Sequence, residues 1–245
     1  VVFPDLPGRF EVLPSADAVA RLPKTDVVVS TAWPSAYAAL SHPRAGFHAY
    51  FVLDDESQFH AAGTQSALAD NTYRFGFFGI FNGQGLHDAL TRAHPMRGTW
   101  FEPSVDHALF HPGQRRPGPD PLKVFFYARP SVDRNAFELG LEALRRIKGR
   151  FKDRVRVLCA GERWHPSWFD AEGVVENLGV LPYRETASLY RGVDVGLCFM
   201  FTRHPSYLPL ELMACGVTVV TNDNPHNGWL LVDDENCLLA KPTVS

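Results

Sequence analysis

The chain has 245 residues, 45% of them hydrophobic and 21% charged, with a formal net charge of −3. That length suits one large domain or two moderate ones, and the near-neutral charge excludes nucleic acid as a principal partner. No apolar run reaches the roughly 18–20 residues needed to span a bilayer. The opening "VVFPDLPGRF" has no Met and no signal-peptide pattern, so the chain is expected to be a piece of a longer one. Cys159, Cys198, Cys215 and Cys237 form no C-x-x-C pair and lie in or beside apolar runs. They read as buried free thiols of a reducing compartment.

In chain order, "DVVVSTAW" (26–33) and "HAYFVLDDE" (48–56) read as strands. "NGQGLHD" (82–88) places two glycines before the helical pattern "GLHDALTRAH"; a turn or cap explains them as well as a ligand contact does. "HPGQRRPGPDP" (111–121) holds six Pro or Gly in eleven residues and reads as a linker. The expected division is therefore a unit 1–111, a linker 112–121 and a unit 122–245. "KVFFYARP" (123–130) is the next strand. In "NAFELGLEALRRIKGRF", Phe137, Leu141, Leu144 and Ile147 fall at helical spacing, and Asn135 with Glu138 predicts a capping box. "RVRVLCAGE" (154–162), "DVGLCFMF" (194–201) and "GVTVVTN" (216–222) are strands, with a helix in "RETASLYRGV". The apolar runs are continuous rather than alternating, as in parallel strands buried on both faces. Alternation of strand and helix predicts an α/β fold of two units with a cleft between them.

Ligands of open parallel sheets sit at the carboxyl ends of the strands. That rule selects Asp54 and Asp55, Arg129, Gly161 and Glu162, and the loop 202–208 containing Arg203, His204, Ser206, Tyr207 and Leu208. Pro209 and Gly216 bound a predicted helix over 208–215. Its amino end is expected to favour an anion, with Glu211 better suited to the hydroxyls of a ribose. Arg129 and, five residues on, Arg134 follow a strand; two guanidiniums there can clamp a diphosphate. Asp54 and Asp55 are candidates to orient an acceptor hydroxyl or act as base. No spacing of His, Cys or acidic residues predicts a metal site.

These motifs resemble the retaining glycosyltransferases of the GT-B architecture, family GT4. The Arg129/Arg134 pair stands where that family has Arg and Lys. "LGVLPYRETASLYRGVDVGLCFMF" (178–201), "RHPSYLPLELMACGVTVV", "LLVDDENCLLAKP" (230–242) and "FEPSVDHALFHP" (101–112) match its other phrases in order. "HPSYLPLELMACG", "FFYARPSVDRNAFELG" and "YFVLDDESQF" look most like the WsaF-type rhamnosyltransferases.

The resemblance implies two Rossmann-like parallel-sheet domains facing a cleft, a partial amino-terminal acceptor-side domain and a carboxyl-terminal nucleotide-sugar domain without its last helices. It implies transfer of a sugar, L-rhamnose from dTDP-rhamnose being the best match, to a glycan or lipid-linked acceptor in surface polysaccharide synthesis. No metal or other cofactor is implied, and the donor is a dTDP- or UDP-sugar. The implied catalytic set is Arg129, Arg134, Glu211 and Asp55. The implied substrate contacts are Asp54, Gly161, Glu162, Arg203, His204, Ser206, Tyr207 and Leu208. A cytoplasmic location is implied, at the inner face of the membrane if the acceptor is lipid-linked. One departure stands out: Arg203 occupies the position of the family's first Glu, a donor-sugar contact. That change favours one alternative, a non-catalytic module that binds a nucleotide sugar or glycan; a sugar-nucleotide epimerase of the same fold is a second alternative, which the Arg129/Arg134 pair and Glu211 also fit.

Overall fold

A computed structural model describes residues 11–113 and 121–243, with Ala16 described by its backbone only. The chain divides into two compact units, Val1–Glu102 and Pro103–Ser245.

The first unit runs β1 (Thr25–Ser30), α1 (Trp33–Leu40), β2 (Ala45–Val52), α2 (Thr64–Thr72), β3 (Phe78–Asn82), α3 (Gln84–Ala93) and β4 (Gly98–Phe101). Its sheet is parallel, in the order β1-β2-β3-β4. Four parallel strands in sequence order, joined by right-handed crossovers, send all three helices to one face. That face carries the core: Tyr50, Val52 and Phe81 pack with Ala36, Leu86 and Leu90. The register pairs Val27 with Phe47 and Ala49 with Phe78 on the other face, where Val27, Val29, Phe47 and Phe78 are exposed. The expectation of strands buried on both faces therefore fails for this unit.

The second unit runs β5 (Leu122–Ala128), α4 (Phe137–Phe151), β6 (Val155–Gly161), β7 (Glu176–Asn177), α5 (Tyr183–Arg191), β8 (Val195–Leu197), α6 (Leu208–Ala214), β9 (Thr218–Asn222) and β10 (Leu238–Ala240). Its parallel sheet has the order β10-β9-β8-β5-β6-β7. The chain moves one way from β5 to β6 and β7, then resumes on the other side with β8. A topological switch point thus lies between β5 and β8. Here the central strands β5 and β6 are buried on both faces, as their continuous apolar runs predict. Val124 and Phe126 of β5 pack with Phe137, Leu141 and Leu144 of α4. Phe125 packs on the opposite face with Tyr190, Leu212 and Val219.

Two local expectations change. Residues 103–113 belong with the second unit, not the first. Phe110 is fully buried against the rings of Tyr183 and Tyr190, and Arg191 Nη1 donates to the Leu109 carbonyl at 3.0 Å. Most of the expected linker, 114–120, lies outside the described residues. The predicted capping box at Asn135 does not form: α4 begins after Ala136, held at φ 49°, with no side-chain cap. Asn135 Nδ2 donates instead to the Phe199 carbonyl at 3.2 Å. The four cysteines are buried free thiols, as expected. Among the described residues no helix is long and apolar enough to cross a membrane.

Candidate functional site

The carboxyl end of β5 delivers Arg129. Its guanidinium lies 5.8 Å from the centre of the Tyr127 ring, and Nη1 donates to the Tyr127 hydroxyl at 3.4 Å. Among the described residues no carboxylate pairs with it. Gly161, at the end of β6 beside it, has φ 128°, and a Cβ there would meet Arg129 Cγ and the Tyr127 ring at 2.9 Å. Only glycine lets the two strand ends approach this closely. Glu162 does not face open solvent alone. Its Oε2 accepts from Ser131 N–H at 3.1 Å and Ser131 Oγ at 2.7 Å, tying the β5–α4 loop to the end of β6.

The same loop is tied on its other side to the segment after β8. Phe201 N–H donates to the Arg134 carbonyl at 2.9 Å, beside the Asn135–Phe199 bond. Hydrogen bonds across the switch point, where such folds place ligands, therefore join residues 134 and 135 to Phe199 and Phe201, which lead into the loop 202–208 singled out from sequence.

Within 203–208 the chain makes a tight turn. Ser206 has φ 67°, a left-handed conformation rare for a residue with a side chain. Its N–H donates to His204 Nδ1 at 3.0 Å, and Leu208 N–H donates to Ser206 Oγ at 3.4 Å. With Pro209 carrying no N–H, much of the donor capacity expected at the start of α6 is already used. That shifts the weight of the anion-binding expectation from the helix end toward the arginines. His204 is 6% exposed, and burial pushes its imidazole down to about 4. With Nδ1 accepting, Nε2 carries the proton, and Nε2 is buried without a hydrogen-bond partner. His204 and Tyr207 rings lie 5.9 Å apart.

Glu211 is buried within α6. Its Oε1 accepts from the Tyr183 hydroxyl at 3.1 Å, while Oε2 has no partner among the described residues. Burial raises the carboxyl above its ordinary value and the Tyr183 bond lowers it in part. Tyr183 itself is pushed up to about 12, by burial first and then by the Glu211 charge. Neither Tyr183 nor Ser131 was selected from sequence. Each works through a partner far away in the chain, so no local spacing marks it.

In the first unit Asp54 and Asp55 follow β2 as expected, but both are buried, at 7% and 2% exposure. Asp55 accepts from Ser57 N–H at 3.2 Å and Ser57 Oγ at 2.6 Å, and from the Tyr73 hydroxyl at 3.5 Å. Asp54 Oδ1 accepts from the next backbone N–H at 2.7 Å. Asp55 is thus tied to the turn that follows it. Glu56 beside it caps α1 by accepting from Trp33 N–H, and burial raises its carboxyl. Among the described residues no group of three or more His, Cys, Asp or Glu could hold a metal ion.

Over 244 residues the chain is 57% identical to the O-antigen biosynthesis protein RfbC of Myxococcus xanthus, a match covering 100% of this chain and 19% of that protein. The chain therefore spans about a fifth of the length of that relative. Among solved structures, Anabaena HepE in complex with UDP and glucose superposes with a TM-score of 0.69 at 16% identity, covering 89% of this chain and 65% of that one. The pneumococcal O-GlcNAc transferase GtfA in complex with UDP and GlcNAc gives 0.66 at 13% identity, covering 92% and 47%. At these identities the likeness is one of fold, the α/β GT-B fold expected from the sequence. Residues 122–245 match the family described as WsaF, C-terminal domain, and the chain belongs to that family.

Proposed function

We propose that the chain is part of a glycosyltransferase of polysaccharide synthesis that takes its sugar from a nucleotide diphosphate. The observation that carries this reading is the pair of hydrogen bonds linking Arg134 and Asn135 to Phe201 and Phe199, which fix the chain leading into the loop 202–208 at the switch point of the second sheet. Arg129, without a carboxylate partner, stands at the end of β5, and Glu211 with its free Oε2 follows that loop. When the bond between sugar and diphosphate breaks, negative charge grows on the leaving oxygens. Arg129 and Arg134 are the groups that stabilise it. Glu211 Oε2 accepts from a ribose hydroxyl, while Tyr183 holds the other oxygen and fixes the carboxylate plane. His204 offers Nε2–H to the bound sugar or diphosphate, and Ser206, Tyr207 and Leu208 line the same turn.

The finer reading is transfer of L-rhamnose from dTDP-rhamnose, with retention and without a metal, to a glycan or lipid-linked acceptor at the cytoplasmic face of the membrane. Membership of the WsaF family and the name of RfbC support it. The UDP complexes of HepE and GtfA favour a uridine donor instead, which keeps a UDP-sugar as the alternative to the dTDP-sugar.

A second reading is a nucleotide-sugar-binding module without catalysis. Arg203, at the position of the family's first Glu, favours it, as does the burial of Asp55. Incubation with radiolabelled dTDP-rhamnose or UDP-glucose and a lipid-linked saccharide extract separates the two. Label transferred to the saccharide and abolished by Glu211→Ala supports the transferase. Tight donor binding with no transfer supports the module, and interconversion of the free sugar nucleotide identifies an epimerase instead.

A further inference from the structure

We infer that Asn224 is a positioning residue for the donor-binding loop, holding residues 200–202 through its side-chain amide, with Asn222 acting beside it. The inference rests on the nucleotide-sugar reading of this site. β8 and β9 pair as backbone ladders only as far as Leu197 and Val220, followed by one bond from Cys198 N–H to the Val220 carbonyl at 3.1 Å. Beyond that the loop leaves the sheet, and side chains replace the ladder. Asn222 Oδ1 accepts from Met200 N–H at 2.8 Å, and its Nδ2 donates back to the Met200 carbonyl at 3.0 Å. Asn224 Nδ2 donates to the Thr202 carbonyl at 2.7 Å and to the Met200 carbonyl at 3.5 Å. From the β5 side, Asn135 reaches the Phe199 carbonyl and the Arg134 carbonyl takes Phe201 N–H.

Every residue from Phe199 to Thr202 is thus held by a hydrogen bond from another segment. A loop with no ladder of its own keeps one shape only through such bonds. The residues it leads into, Arg203 to Leu208, are those assigned to the donor. Thr202 is buried, so the Asn224 bond is shielded from competing water.

Asn224 has two roles that one substitution separates. Its Oδ1 accepts from His226 N–H at 3.1 Å, closing its own turn, whereas only Nδ2 reaches the loop. Asp at this position keeps the turn acceptor, but it has no N–H for Thr202 and sets a carboxylate against two carbonyl oxygens. Hydrogen exchange is measured on the wild type, Asn224→Asp and Asn224→Ala, together with binding of dTDP-L-rhamnose and UDP-glucose.

The expected result is exchange across 199–206 faster by about fivefold in both variants, with 122–128 unchanged. The binding sugar nucleotide should weaken by a similar factor in both. Asp indistinguishable from wild type would make Asn224 a turn former only and overturn the inference. Neither variant differing from wild type, or faster exchange throughout the second unit, would overturn it equally. If the wild type binds no nucleotide sugar, the functional reading fails, while the exchange data still decide the positioning role.

Discussion

His204 is the residue whose chemistry is most changed by its place in the fold. Its imidazole titrates near 6.5 when free and near 4 when buried here. Between those values the unfolded chain binds a proton that the folded chain refuses. Stability is therefore full above about pH 6.5 and falls as pH drops toward 4, by up to about 3 kcal/mol. Urea unfolding of the wild type and His204→Asn at pH 7 and 5 should show this extra slope in the wild type alone. Equal slopes would mean that the ring is hydrated and free to protonate. The sequence placed His204 on the right loop, because a Pro-bounded polar stretch before a short helix marks a strand-end loop. It could not show that Nδ1 would be spent on Ser206 and Nε2 left alone. The burial of Asp55 was illegible for a related reason. A carboxylate after a strand looks solvent-facing in one dimension, while Tyr73 and Ser57 make it an internal acceptor.

At the scale of elements, the ends of β5 and β6 meet through Gly161. A methyl group there would have to displace Arg129 or the Tyr127 ring, and the backbone would also be strained at φ 128°. Gly161→Ala should weaken nucleotide diphosphate binding by roughly tenfold, an effect of about 1.4 kcal/mol. Calorimetry checks this, and unchanged affinity would show that Arg129 is not held by that contact. Long periodic elements were legible: α4, α5 and β5 follow directly from their patterns, as does the Pro209-to-Gly216 frame of α6. The misses have physical causes. β7, β10 and β4 have two to four residues each, too few for periodicity to register. α2, "TQSALADNT", is polar nearly all round. The capping box at Asn135 lost to a tertiary bond with Phe199, which a local pattern cannot anticipate.

For the whole molecule, the α/β class and the parallel sheets were legible because continuous apolar strands alternate with amphipathic helices. The unit boundary was not. Pro and Gly mark where a chain bends, whereas membership of a unit is decided by what Phe110 packs against. The proposed donor groups, Arg129, Arg134, Tyr183, His204 and Glu211, all lie in the second unit, which has apolar clusters on both faces of its sheet. A fragment 103–245 should therefore bind nucleotide diphosphate within about threefold of the whole chain. Loss of binding by a fragment whose circular dichroism and unfolding remain cooperative would place part of the donor site in the first unit.

The end of β5 and the loop before α6 are proposed to form a nucleotide-diphosphate site. The most direct test is calorimetric titration of the whole chain with dTDP, UDP and GDP, with and without magnesium, repeated on Arg129→Ala. The expected result is that dTDP binds best, without need of magnesium, and that the substitution weakens it by about 1.5–3 kcal/mol, the worth of a hydrogen bond to a charged group. Folded protein that binds none of the three, or binds dTDP equally well without Arg129, would contradict it.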